Sequence, residues 1–145
     1  MIKILPCLFA ILPIMSSAQA ESIFESKRLI VEFQNQSNAL NSTQKRRLNI
    51  FVKEVRERCN PAGAVYVLVS GIVEPDASDQ LIANAKRKSA NVASYLKKDQ
   101  FLHGYISEET SSAWALSFRN AGLSVELAAK KGPVYVEVVC DPIKK

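Results

Sequence analysis

Three carboxylates and three cations follow one another closely along the chain: Glu74, Asp76 and Asp79, then Lys86, Arg87 and Lys88. Carboxylates meet an ammonium group; cations and free helix amides meet a carboxylate. Held near one another, the two sets suit a small zwitterion with an amine and a carboxylate on one group. Plainer roles also exist for them. Asp76 suits a turn, Asp79 a helix start, and a Lys-Arg-Lys run a solvated helix face.

Other chemistry is sparse. The one histidine, His103, stands beside Gly104 in an expected connection, and no nucleophile–base–acid set converges on it. Five glycines are scattered singly, so there is no phosphate-cradling loop. No Cys-x-x-Cys pair occurs, and one histidine with isolated cysteines predicts neither a metal site nor a redox motif. The sequence predicts a protein that is not an enzyme and needs no cofactor.

The elements that position the charged stretch follow from periodicity. Val65 to Gly71 reads as a buried strand: Ala64 to Val69 is almost wholly apolar and β-branched, as in a central strand covered on both faces, or one covered by helices on one face and a partner on the other. A polar loop, Val73 to Asp79, separates it from a helix running from Gln80 to about Leu96, capped by Ser78 or Asp79. Ile82, Ala85, Ser89, Val92, Ala93 and Leu96 form its apolar positions, which puts Lys86-Arg87-Lys88 on or beside the opposite face.

Upstream, Arg28 to Phe33 alternates as a strand, and Glu21 to Lys27 reads as a loose lead-in. Asn41 with Gln44 forms a capping box for a helix over Ser42 to Arg58. Leu48, Phe51, Val52, Val55 and Cys59 make its apolar stripe, and Glu54 can pair with Arg58 one turn on. Asn60-Pro61-Ala62-Gly63 ends it.

Downstream, Asp99 to Glu109 reads as a connection. Between Thr110 and Ala121, Trp114, Phe118 and Ala121 have helical spacing, while Trp114, Leu116 and Phe118 alternate like a strand. Asn120-Ala121-Gly122-Leu123 favours a short helix. Leu123 to Leu127 and Val134 to Cys140 alternate about the turn Lys130-Lys131-Gly132-Pro133, which predicts a terminal β-hairpin. Trp114, Phe118 and Tyr135 are assigned to the core.

The first twenty residues stand apart. Met1-Ile2-Lys3 is a positive start, Ile4 to Met15 an apolar run, and Ala18-Gln19-Ala20 a small-x-small end. This pattern predicts a signal peptide over 1–20, one domain over 21–145, and a periplasmic product with no further membrane-spanning segment. The exported part would hold 18 basic and 14 acidic residues, a mild net +4 that does not call for nucleic acid. Of three cysteines, Cys7 would leave with the signal, so Cys59 and Cys140 are expected to form a disulfide. That bond constrains topology. Cys59 lies near the start of the Ala64–Val69 strand, so Cys140 reaches it only if the last strand runs antiparallel to that strand.

The stretch Val67 to Leu96 resembles the OmpA-like domain, a peptidoglycan-associating module of Gram-negative envelopes. Gly71-Ile72-Val73-Glu74 stands where that family reads Gly-x-Thr-Asp. Asn84 to Leu96 stands at its Leu-Ser-x-x-Arg-Ala-x-x-Val-x-x-Tyr-Leu helix, with Val92, Tyr95 and Leu96 identical. Val136-Glu137-Val138 is similar to its last strand. The resemblance implies an α/β (α+β sandwich) fold, a β-α-β-α-β-β mixed sheet with helices packed on it. It also implies association with the diaminopimelate of the peptide stem. Glu74, with Asp76 or Asp79, would meet the ammonium, and Lys88 or Arg87 the carboxylate. Glu74 and Lys88 replace the family's aspartate and arginine, and Val134 and Tyr135 stand where arginines usually precede the last strand. The alternative expectation is a protein-interaction or scaffold subunit of an envelope assembly that serves secretion, conjugation or pilus formation without binding the wall.

Overall fold

The computed structural model describes residues 24–34, 37–99, 101–102, 106–111 and 132–143. The expected signal peptide, His103, Trp114, Phe118 and most of the expected 110–121 helix lie outside them. So does the expected strand over 123–127.

The described residues form four strands and two helices, in the order β1 (Glu25–Val31), α1 (Ser42–Arg58), β2 (Val65–Ile72), α2 (Asp79–Leu96), β3 (Ile106–Ser111) and β4 (Val134–Cys140). The strands form one mixed sheet in the order β1-β4-β2-β3. β4 runs antiparallel to both neighbours. Cys140 lies opposite Glu25 on one side and Val65 on the other, and Val134 lies opposite Val31 and Gly71. β3 pairs parallel with β2, from Val67↔Ile106 to Ile72↔Ser111. β1 and β2 therefore point the same way, as a β-α-β unit requires, with β4 inserted between them.

The two helices form where their stripes and caps direct. Asn41 Oδ1 accepts from the Gln44 amide at 2.9 Å, and Gln44 Oε1 accepts from the Asn41 amide at 2.7 Å. This is the capping box read in the sequence, and such a cap contributes about 1 kcal/mol. The Gln44 side-chain amide also donates to the Glu32 carbonyl, tying the start of α1 to the end of β1. Leu48, Phe51, Val52, Val55 and Cys59 are all buried. They meet Val67 and Val69 of β2, Val134, Val136 and Val138 of β4, and Val92, Ala93 and Leu96 of α2 in one core.

The opposite sheet face carries a smaller cluster of Leu68, Ile72 and Tyr135. Beside it, Glu137 accepts from Arg28 Nε at 2.8 Å and Ser26 Oγ at 2.9 Å. Burial pushes the Glu137 carboxyl up, but these bonds outweigh it and hold the group below its ordinary value. Burial and the nearby Glu137 charge push the Tyr135 phenol up to about 12.

Cys59 and Cys140 are joined by a disulfide with α-carbons 5.6 Å apart, as the antiparallel last strand demands. Four features differ from expectation. β1 begins three residues earlier, at Glu25, so Glu25 to Lys27 are strand. Lys27 is held there by a 2.6 Å ion pair to Glu54. Glu54 thus pairs with β1 rather than with Arg58, whose own partner is Glu25 at 3.9 Å. The expected connection over 99–109 contains the start of β3, and Thr110 and Ser111 are strand rather than helix. β4 is inserted between β1 and β2, neither of which the sequence expectation named as its neighbour.

Candidate functional site

The C-terminal ends of β1, β2 and β3 and the start of β4 share one end of the sheet. Both helices begin there. This end is what positions the charged residues.

Gly71 sets how closely α2 approaches. A Cβ on Gly71 would lie 2.5 Å from the Ala85 carbonyl oxygen and 3.1 Å from the Ala85 Cβ. Only glycine lets the helix backbone lie on β2 here. Since Ala85 sits over Gly71, the six residues Asp79 to Asn84 stand beyond it, about 9 Å of helix. Ser78 caps this overhang, its hydroxyl accepting from the Leu81 amide at 3.4 Å. The loop turns before it, with the Ala77 amide donating to the Glu74 carbonyl at 3.1 Å.

Glu74, Asp76 and Asp79 are exposed on this loop and helix start. Asp79 lies in the first helical turn, where a carboxylate suits the helix dipole. Arg87 is exposed on α2. None of these four residues forms an ion pair among the described residues.

Lys88 is different. It is 8 % exposed, although it belongs to the basic run expected on or beside the opposite face. Its position explains this. It stands three residues after Ala85 and four before Val92, both buried, so it falls within the apolar stripe. Its ammonium lies 5.3 Å from the centroid of the Phe33 ring and donates to the Gly132 carbonyl at 3.3 Å. Gly132 takes φ +48, a conformation that favours glycine, and a Cβ there would lie 3.2 Å from Lys88 Nζ. Burial pushes the Lys88 ammonium below its ordinary pKa.

The five expected ligand residues therefore divide by burial. The carboxylates and Arg87 stand in solvent, while Lys88 is packed beneath them among the strand ends. Along the α2 axis, Asp79 and Lys88 are about 14 Å apart at their α-carbons. Nothing read in the sequence marked Phe33 and Gly132 as partners of Lys88. The available signals were its spacing from Ala85 and Val92, and the Gly132-Pro133 turn.

Among the described residues, no helix is long and apolar enough to cross a membrane. No protein-family model matches the chain, and no curated protein matches it in sequence. Solved structures do match. The C-terminal domain of Helicobacter pylori MotB (residues 125–256) is similar with a TM-score of 0.55 and 16 % identity, over 75 % of this chain and 82 % of that one. The OmpA-like domain of FopA1 from Francisella tularensis subsp. tularensis SCHU S4 matches with a TM-score of 0.48 and 12 % identity, over 85 % of this chain and 78 % of that one. With its mixed four-stranded sheet and two helices, the chain has an OmpA-like fold.

Proposed function

We propose that the protein is an exported, periplasmic, non-catalytic domain that associates with peptidoglycan through the loop end of its sheet. The observation that carries the reading is the exposed carboxylate loop of Glu74, Asp76 and Asp79 at the C-terminal end of β2, on a fold of OmpA-like type. The loop carboxylates receive the ammonium of diaminopimelate. Arg87 and the first amides of α2 receive its carboxylate, since they are the accessible donors there. Lys88 adds positive potential from beneath.

Co-sedimentation with purified peptidoglycan tests this at low and moderate salt, because a basic domain also adheres to anionic polymers nonspecifically. The expected result is retention that survives salt, is competed by free diaminopimelate, and falls about tenfold on Glu74→Gln. Retention that disappears with salt or ignores Glu74→Gln would leave the scaffold reading in its place.

A further inference from the structure

The helix layer holds a second concavity, independent of the wall-binding reading and towards the opposite end of the sheet. It lies between α1 and α2 and measures about 440 Å³. Val52 and Leu96, both buried, give it an apolar floor. Tyr95 forms part of its wall and is fixed by its hydroxyl, which donates to Asn49 Oδ1 at 2.9 Å. Arg56 Nη2 donates to both oxygens of Asp99 at 2.7 and 2.6 Å. That pair orients the guanidinium and leaves Nε and Nη1 without a bond among the described residues. Lys98 Nζ lies 5.6 Å from the Tyr95 ring centroid, and Lys53 completes the lining, 4.0 Å from Glu57. Three cations thus line the groove beside one carboxylate, Asp99, which is taken by Arg56; the carboxylate near Lys53, Glu57, lies outside the lining.

The charge continues along α1. Lys45, Arg46 and Arg47 are exposed, and none forms an ion pair among the described residues. The first turn of α1 contains no acidic residue. Lys45, in the first turn, opposes the helix dipole and so costs local stability. A local rule broken without compensation within the fold points to a use outside it.

We propose that this groove docks an acidic peptide segment of a partner protein. A carboxylate accepts from Arg56 Nε or Nη1 with Lys53 and Lys98 beside it, and a neighbouring apolar group sits on Val52 and Leu96 against Tyr95. A concave, half-apolar lining with fixed polar groups suits a side chain, whereas a bilayer surface has none to insert. Lys45 and Arg46 attract the segment at longer range.

The test is fluorescence anisotropy of a labelled deca-glutamate peptide with the exported chain, beside a deca-glutamine peptide and phosphatidylglycerol vesicles. Glutamate-peptide binding is expected to exceed glutamine-peptide binding and to weaken at least tenfold on Lys53→Glu with Lys98→Glu. The equal charge change Arg47→Glu with Lys86→Glu, away from the groove, is expected to weaken it about threefold or less. Circular dichroism checks folding. If the groove pair does not fold, Lys53→Gln with Lys98→Gln and the matching Arg47→Gln with Lys86→Gln replace both pairs. Equal losses in the two pairs, no preference for glutamate, or groove-dependent binding to vesicles at the expense of the peptide would each overturn the proposal.

Discussion

The two ends of the sheet are built by different means. At one end the chain is closed by covalent and main-chain bonds. The Cys59–Cys140 disulfide sits beside hydrogen bonds from the Asn60 amide to the Asp141 carbonyl at 2.8 Å, from the Asp141 amide to the Ala64 carbonyl at 3.0 Å, and from the Ile143 amide to the Arg58 carbonyl at 2.9 Å. At the other end, side chains close the structure. Asn41 and Ser78 cap the helices, Gln44 holds the end of β1, and Lys88 spans from α2 to Gly132. The first end leaves little room for change. The second leaves its carboxylates in solvent, where loop residues on a rigid scaffold can meet a ligand.

Breaking the closed end should have the largest effect. The disulfide links residues 81 positions apart. Releasing a loop of that length costs about 4 kcal/mol when the loss arises mainly from unfolded-chain entropy. We expect Cys59→Ser with Cys140→Ser to lower unfolding stability by about that amount in a urea titration. A loss under about 1 kcal/mol would mean that the main-chain bonds around Asp141 hold this end by themselves.

The closed end was also the more legible in the sequence. Two cysteines in an expected export product, one after the first helix and one at the end of the last strand, indicate the direction of β4. Capping signals located both helices, and β-branched runs located β2 and β4. β3 was not legible because Ile106-Ser107-Glu108-Glu109-Thr110-Ser111 is mostly polar. It lies at the end of the strand order, beside β2 and α2, where Glu108 pairs with Lys97 at 2.8 Å. A strand at the edge of the described sheet, as this one is, lacks the apolar alternation by which strands are read. The neighbours of β4 were less legible for a related reason. Alternation shows that β4 is a strand, but not which strands lie beside it. At the candidate site the acidic loop was legible. The burial of Lys88 was obscured by reading a three-residue basic run as a unit, though its third member falls in the apolar stripe.

The loop end depends on the close approach of α2, and Gly71→Val sharpens that contrast. The new side chain would start 2.5 Å from a main-chain oxygen, which cannot yield as a flexible side chain can. Overpacking of this kind costs about 2–3 kcal/mol. Denaturant unfolding should show that loss, and wall binding should fall with it because the Asp79–Asn84 overhang would shift. Unchanged stability would show that α2 moves off β2 without cost.

Lys88→Met gives the smallest expected change in stability and the clearest distinction between the ends. Methionine keeps an unbranched stem beside Phe33 and removes the buried charge. Removing the buried charge relieves its desolvation cost but also takes the donor from the Gly132 carbonyl, so we expect stability at neutral pH to change by no more than about 1 kcal/mol. The pH dependence has a definite sign. Burial lowers the folded-state pKa of Lys88, so the folded protein releases this proton more readily than the unfolded chain. The destabilisation is full below the folded pKa. It is relieved as pH rises through that value towards the unfolded value near 10.4. Wild-type stability should therefore gain on the Lys88→Met variant as the solution is made alkaline, in parallel thermal unfolding series. If Lys88→Met instead loses about 3 kcal/mol at neutral pH, the ammonium bond to Gly132 is integral to closing this end, and the loop end is as firmly tied as the disulfide end.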